Sequence, residues 1–149
     1  MNSILKRNLF FVKEHTGIFK AAKNFDIYEP GIRNIILHCR EDRLGIFTKL
    51  FRFTDYKRMT PFDVEVSTPD GLPILSVKRG VSIFRFTVQV LNENQRLVGT
   101  FQQRLFSIGG KFDVLDLNQR VLCTLKGQWT SWDFKFEKDG VELTQVSKK

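Results

Sequence analysis

The sequence Phe62-Asp63-Val64-Glu65-Val66 alternates apolar and acidic residues, and Thr68-Pro69-Asp70-Gly71 then leads into Ile74-Leu75-Ser76-Val77. Side chains alternate between the two faces of a strand, so the three apolar residues of the first run share one face. Pro-Asp-Gly supplies the fixed and positive φ angles that a tight turn requires. The stretch therefore predicts a β-hairpin with one apolar face.

The same pattern, an aromatic-led strand, a turn and a second strand, recurs four more times and predicts an all-β antiparallel hairpin meander. Four lead aromatic residues are predicted to be buried, namely Phe62, Phe86, Phe112 and either Trp132 or Phe134. Leu9–Lys13 is predicted to be a first strand paired with Ile18–Ala22, and Gly109-Gly110 and Gly127 are predicted to mark sharp bends. The further copies are Phe25-Asp26-Ile27 with Ile35-Ile36-Leu37, Phe86-Thr87-Val88-Gln89-Val90 with Leu97-Val98-Gly99, Phe112-Asp113-Val114 with Val121-Leu122-Cys123, and Trp132-Asp133-Phe134-Lys135-Phe136 with Val141-Glu142-Leu143.

The composition indicates one globular domain over residues 1–149, with 42% hydrophobic residues and 15 Phe. The net charge of +8 favours an anionic partner, either nucleic acid or an acidic membrane surface, although solubility alone also explains it. Cys39 and Cys123 have no CxxC spacing and fit a reducing compartment, so we expect a cytoplasmic location, peripheral on the inner membrane face. No apolar run approaches the roughly 20 residues of a membrane-spanning helix.

The stretch Arg40–Arg58 breaks the hairpin pattern and is rich in basic residues. Leu44, Phe47 and Phe51 fall at helical spacing, which predicts either a short amphipathic helix or an irregular connection. Basic residues beside apolar ones suit an acidic membrane surface. In the alternative interpretation, the apolar residues fill one end of the fold and the charges are solvated. The candidate lipid-binding or anion-binding residues are Arg43, Lys49, Arg52, Lys57 and Arg58.

No pattern of an enzyme or a cofactor site is present, and we predict no catalytic residues, no cofactor and no metal site. His15 and His38 have no carboxylate or cysteine at metal-ligand spacing, so they are predicted to be hydrogen-bonded strand histidines. Asp63, Asp113 and Asp133 each follow a lead aromatic residue. This regularity predicts a solvent-facing row rather than a paired-carboxylate site.

The order of the hairpins resembles the phospholipid scramblase family and its bacterial and plant relatives, the LURP-one-related proteins. The resemblance covers roughly residues 9–149 and implies a Tubby C-terminal-like barrel of about 10–12 strands around an apolar C-terminal helix. It also implies a lipid-associated protein without catalysis. The residues that carry it are Pro61-Phe62-Asp63-Val64, Pro69-Asp70-Gly71, Ile74-Leu75, Arg79, Arg96-Leu97-Val98-Gly99, Lys111-Phe112-Asp113-Val114, Leu125-Lys126-Gly127, Trp132-Asp133-Phe134 and Val146-Ser147-Lys148-Lys149.

The sequence departs from the animal members of that family in three ways. Asp42–Phe53, which corresponds to their cysteine-rich, lipid-modified stretch, contains no cysteine, and there is no proline-rich N-terminal arm. Their calcium-binding segment and final helix would begin after Lys149, so the domain is expected to be C-terminally incomplete. The sequence thus resembles a short, bacterial-type member.

Three functions are compatible with these patterns. The first is a peripheral module that binds acidic phospholipid surfaces. The second is nucleic-acid binding, in which bases stack on exposed aromatic residues within a basic groove. The third is a structural or regulatory domain with no ligand of its own.

Calcium is predicted to have no specific site on this chain, because the acidic residues are scattered singly and calcium needs several oxygen ligands in one loop. Isothermal titration calorimetry with calcium chloride is expected to give no saturable heat, with magnesium chloride as the matched control. A stoichiometric calcium site of micromolar affinity would contradict the prediction.

Overall fold

The structure, a computed structural model, describes residues 2–15, 24–41, 61–80, 85–105, 111–128 and 133–148. It is all-β in these ranges apart from one 3-10 turn at Ser3–Lys6. The strands are β1 (Phe11–Glu14), β2 (Phe25–Tyr28), β3 (Ile35–Arg40), β4 (Phe62–Ser67), β5 (Pro73–Arg79), β6 (Thr87–Asn92), β7 (Leu97–Gln103), β8 (Phe112–Leu115), β9 (Val121–Gln128), β10 (Asp133–Lys138) and β11 (Val141–Val146).

The eleven strands are hydrogen-bonded in chain order, from β1 at one end of the order to β11 at the other. The strand pairs with a defined register are antiparallel. The predicted all-β hairpin meander is therefore confirmed. The chain forms two compact units, one made of Met1–Val81 with Leu91–Arg96 and the other of Ser82–Val90 with Leu97–Lys149.

The tight turns follow the predicted turn chemistry. In the β4–β5 turn, the Gly71 amide donates to the Thr68 carbonyl at 2.9 Å, and Gly71 has a φ of 87°. In the β10–β11 turn, Asp139 and Gly140 both have positive φ, 51° and 79°. Positive φ at both central residues is the type I′ geometry that matches the twist of paired strands, and Asp-Gly is a preferred pair for it.

The first strand has a partner that the sequence pattern did not indicate. β1 pairs with β2, with Phe11 opposite Tyr28 and Glu14 opposite Phe25. The predicted partner segment, Ile18–Ala22, lies outside the described residues. The His15 amide also donates to the Asn24 carbonyl at 2.9 Å, so the hydrogen bonding between the two segments continues past the end of β1.

The first unit has one mainly apolar and one mainly polar sheet face. On the apolar face, Val64 is opposite Val77 and Val66 is opposite Leu75. Arg79 belongs to the same face, where its guanidinium carbon lies 4.8 Å from the centroid of the Phe62 ring. Such a cation–π contact stabilises a charged side chain among apolar ones.

The second unit has a corresponding apolar face that centres on Phe134. Its side chain is only 8% exposed, and Phe101 and Phe136 on this face meet edge to face with ring centroids 6.3 Å apart. Edge-to-face contact at this distance is a favourable arrangement for aromatic rings.

Gly127 is not a bend, as the sequence pattern suggested, but lies within β9 directly opposite Phe134. A Cβ at this position would come within 2.8 Å of both Cα and Cδ1 of Phe134. The glycine is therefore needed because the aromatic residue approaches the β9 backbone closely.

The prediction that every lead aromatic residue is buried is correct only for Phe134. Phe62, Phe86 and Phe112 are half-buried, and Trp132 lies outside the described residues. Alternation assigns a residue to a face and does not determine how thickly that face is covered.

Truncation of Phe134 to Ala is expected to lower the free energy of unfolding by about 3–5 kcal/mol, because it leaves a cavity on the apolar face. Phe62→Ala is the matched comparison and is expected to cost about half as much, since its ring is already half-solvated. Denaturant unfolding of both variants measures the difference. Equal losses would contradict the observed difference in burial.

Candidate functional site

The polar face of the first unit brings charged side chains together across β1, β2 and β3. Asp26 on β2 is directly opposite Lys13 on β1 and His38 on β3. Directly opposed residues of an antiparallel pair point to the same face. Arg40 follows His38 by two places and so shares that face.

Asp26 is the centre of this group, which we call the Asp26 cluster and define as His15, Asp26, His38 and Arg40. The carboxylate is only 4% exposed. Its Oδ2 lies 2.5 Å from Nε2 of His15, and its Oδ1 lies 2.7 Å from Nδ1 of His38 and 2.5 Å from a terminal nitrogen of Arg40. Three side chains from two neighbouring segments therefore satisfy one buried carboxylate.

The donors in the cluster determine the tautomers of both histidines. A carboxylate only accepts hydrogen bonds, so Nδ1 of His38 and Nε2 of His15 must each carry a hydrogen to bond Asp26. The guanidinium of Arg40 also only donates. Its terminal nitrogen lies 2.9 Å from Nδ1 of His38, and both nitrogens donate to Oδ1 of Asp26.

Opposing effects act on the pKa of Asp26. Burial raises it, but the hydrogen bonds from His38, Arg40 and His15 and the positive charge of Arg40 together lower it more. The net result holds the pKa of this carboxyl well below its usual range. Asp26 is therefore ionised over the whole range in which histidines titrate.

Arg40 also ties the ends of β2 and β3 together. Its second terminal nitrogen donates to the backbone carbonyls of Phe25 at 2.7 Å and Cys39 at 3.0 Å. The next amide, that of Glu41, donates to the side-chain oxygen of Asn24 at 3.2 Å. These contacts hold the chain in place where it leaves β3.

The cationic residues predicted from the sequence all lie outside the described residues, in the segment 42–60. In sequence, that segment begins two residues after Arg40 of the Asp26 cluster and ends before β4. The structure adds the four cluster residues, which the sequence did not single out as a group. The available signal was that Asp26 follows a lead aromatic residue as the other hairpin aspartates do.

The aspartates of the other hairpins do not form a uniform solvent-facing row, and the prediction is wrong for Asp113. Its side chain is 15% exposed, and Nε of Arg104 donates to both of its oxygens at 2.8 Å. Asp63 is half-buried and only Asp133 is exposed. The hydroxyl of Thr124, on the neighbouring strand β9, also donates to Asp113 at 3.2 Å. These partners cover the Asp113 carboxylate.

Two other kinds of chemistry have little support in the described ranges. Within them, no group of three or more His, Cys, Asp or Glu side chains is arranged to hold a metal ion. Burial raises the pKa of both the Cys39 and Cys123 thiols, which lowers their reactivity as thiolates.

Among the helices of the described part of the chain, none is long and apolar enough to cross a membrane.

Comparisons of this chain with protein-family models, with curated proteins and with solved structures found no match.

Asp26→Asn is expected to lower the free energy of unfolding at pH 7 by about 2–3 kcal/mol, because charged hydrogen bonds contribute about 1.5–3 kcal/mol and Arg40 keeps part of its hydration. The folded pKa of Asp26 is depressed, so its contribution is present above the unfolded pKa of about 3.9 and declines as the pH falls below it. Denaturant unfolding of wild type and variant between pH 7 and pH 3 should show the difference shrinking.

The matched control is Asp133→Asn, which removes an exposed carboxylate and is expected to change stability by less than about 0.5 kcal/mol. A loss for Asp26→Asn that is equal at pH 7 and pH 3 would show that the ionised carboxylate is not its source.

Proposed function

We propose that this protein is a peripheral module that binds the anionic surface of a membrane through the basic segment 42–60, without catalysis. The observation that carries the proposal is the uneven distribution of charge between the described strands and turns and the rest of the chain. The first experiment below tests it directly.

The described residues are close to charge balance. They contain sixteen Lys and Arg residues against fourteen Asp and Glu residues, whereas the whole chain has a net charge of +8. Segment 42–60 alone has five basic and two acidic residues. Most of the positive charge that could attract an anionic partner therefore belongs to the connections rather than to the sheet.

Several cations of the described residues are paired with carboxylates. Arg104 lies 2.7 Å from Asp113, Lys126 lies 2.9 Å from Glu137, and Lys135 lies 2.8 Å from Glu142. A cation that already faces a carboxylate attracts a second anion only weakly. The proposal assigns contact with headgroups to the five cations of segment 42–60, Arg43, Lys49, Arg52, Lys57 and Arg58, because that segment has a net positive charge.

The nature of the exposed apolar side chains favours lipid over nucleic acid. In the described ranges the large hydrophobic residues with the highest exposure are all aliphatic, whereas base stacking uses exposed aromatic rings. Phe134 is buried, and Phe101 and Phe136 pack against each other. The exposed group is Leu9, Val12, Ile32, Leu72, Val98, Leu105, Leu117, Val121, Leu122, Val141, Leu143 and Val146.

The finer fold assignment belongs to the same proposal. It rests on the sequence resemblance to the phospholipid scramblase and LURP-one-related proteins and their Tubby C-terminal-like barrel, whereas the strand order itself establishes only an all-β meander. In this proposal, the chain uses that scaffold to bind acidic phospholipid at the cytoplasmic membrane face.

Lys49→Glu combined with Arg52→Glu is expected to weaken binding to phosphatidylserine-containing vesicles by about thirtyfold or more, since each cation near an acidic surface contributes about 1 kcal/mol. Vesicle sedimentation measures the binding, with phosphatidylcholine vesicles as the lipid control. Binding by the wild-type protein should weaken as salt is raised.

A charge-matched control is Arg33→Glu combined with Arg96→Glu, because both residues are exposed in turns between strands. This control is expected to bind much more tightly than the variant in segment 42–60. Equal binding by all three proteins would exclude a role of the segment. Salt-sensitive binding to a labelled oligonucleotide without vesicle binding would favour the nucleic-acid alternative.

A further inference from the structure

The Asp26 cluster contains two imidazole nitrogens that its internal hydrogen bonds do not use. Asp26 accepts from Nδ1 of His38 and Nε2 of His15, which leaves Nε2 of His38 and Nδ1 of His15 for other contacts. The side chains are 26% and 45% exposed, respectively, so a small solute can reach both rings.

Protonation reverses the hydrogen-bonding role of these two nitrogens. In the neutral imidazole each one is an acceptor, and in the imidazolium each one is a donor. With neutral histidines, the carboxylate of Asp26 balances the guanidinium of Arg40. Each histidine that gains a proton adds one positive charge and one outward N–H to the same sheet face.

Asp26 keeps the histidines in position through this change. Its pKa lies well below the usual range for an aspartate, so the carboxylate remains ionised and continues to accept from both rings in mildly acidic solution. Protonation of the histidines therefore changes the charge of the cluster and its number of hydrogen-bond donors, while the fold that positions the rings is retained.

Charged groups on the neighbouring strands also face the cluster. Lys13 is opposite Asp26 on β1, and Glu65 is opposite Arg40 on β4. These two charges have opposite signs. Glu41, which is buried, follows Arg40 directly in the chain.

We propose that the Asp26 cluster is an acid-activated binding site for a phosphate group, with His15 and His38 as the donors. Phosphate oxygens are strong acceptors, and a phosphate monoester, whose second pKa is about 6, still carries at least one negative charge in mild acid. Histidine as a residue type changes charge between about pH 5 and pH 8, which sets the range of the switch. The phosphate is either a free anion or part of a lipid headgroup.

This site uses only residues of the sheet and does not require that segment 42–60 binds membranes. Failure of the vesicle experiment with Lys49→Glu and Arg52→Glu would thus leave the phosphate site intact. Conversely, loss of the phosphate site would not affect the charge argument for segment 42–60.

The test is a titration of the full-length protein with inorganic phosphate, followed by NMR of the histidine rings at pH 5.5 and pH 7.5. Sodium chloride at matched ionic strength is the control for screening. At pH 5.5 the signals of His15 and His38 are expected to shift and saturate. At pH 7.5 the affinity is expected to be at least about tenfold weaker, because binding is linked to proton uptake.

His15→Gln combined with His38→Gln keeps a side-chain amide that can donate to Asp26 but cannot gain charge. This variant is expected to lose the pH dependence and most of the affinity at pH 5.5. Lys13→Gln, the matched control, removes a lysine charge from the same face and is expected to change the affinity by a similar factor at both pH values. The NMR titration of the wild-type protein provides the test even if the double variant does not fold.

Vesicles that contain phosphatidic acid distinguish the two sources of phosphate. Competition by inorganic phosphate would show that one site takes both, and acid-dependent vesicle binding that free phosphate does not reduce would assign the site to a lipid headgroup. The proposal is wrong if neither phosphate source perturbs the two histidines at pH 5.5, or if the perturbation is the same at pH 5.5 and pH 7.5.

Discussion

Strand register is the constraint on which the other features of this protein depend. Because side chains alternate between faces, a slip of one residue would exchange the two faces of a strand. Between β2 and β3 the register sets Asp26 opposite His38 and Phe25 opposite Cys39. A slip of β2 would direct a carboxylate to the apolar face and an aromatic ring to the polar one. The same rule in the second unit sets Phe134 against Gly127, where only a glycine leaves room for the ring.

The Asp26 cluster shows how this constraint makes a buried charge tolerable. An isolated carboxylate at 4% exposure would be strongly unfavourable, but the register supplies two imidazoles and a guanidinium within hydrogen-bond distance. The donors come from the end of β1 and from β3, so the carboxylate links the segments on both sides of β2. In this way a polar group contributes to specifying which strands are neighbours, and it also determines which histidine nitrogens face outward.

The sequence predicted the part of this fold that local patterns encode. Alternating runs and turn residues such as Asp139-Gly140 identified the hairpins, because strand period and turn geometry are local properties. The pairing of β1 with β2 was not predicted, since the residue pattern of a strand does not specify which other strand lies beside it. The Asp26 cluster was missed for a related reason. His15, Asp26 and His38 are eleven and twelve positions apart, and only the pairing of β1, β2 and β3 makes them neighbours.

The pairing of β3 with β4 has a consequence for how such a protein can change over evolution. His38 is fixed opposite Ser67 and Arg40 opposite Glu65, whatever the length of the connection between the two strands. In general, doubling the number of residues in a closed loop adds only about 0.6 kcal/mol to the free energy of closure. Changes in the number of residues between the two strands are therefore expected to cost little in stability. Under the proposed function, the number and spacing of basic residues could thus diverge among related chains while the pairing of β3 with β4 remains the same.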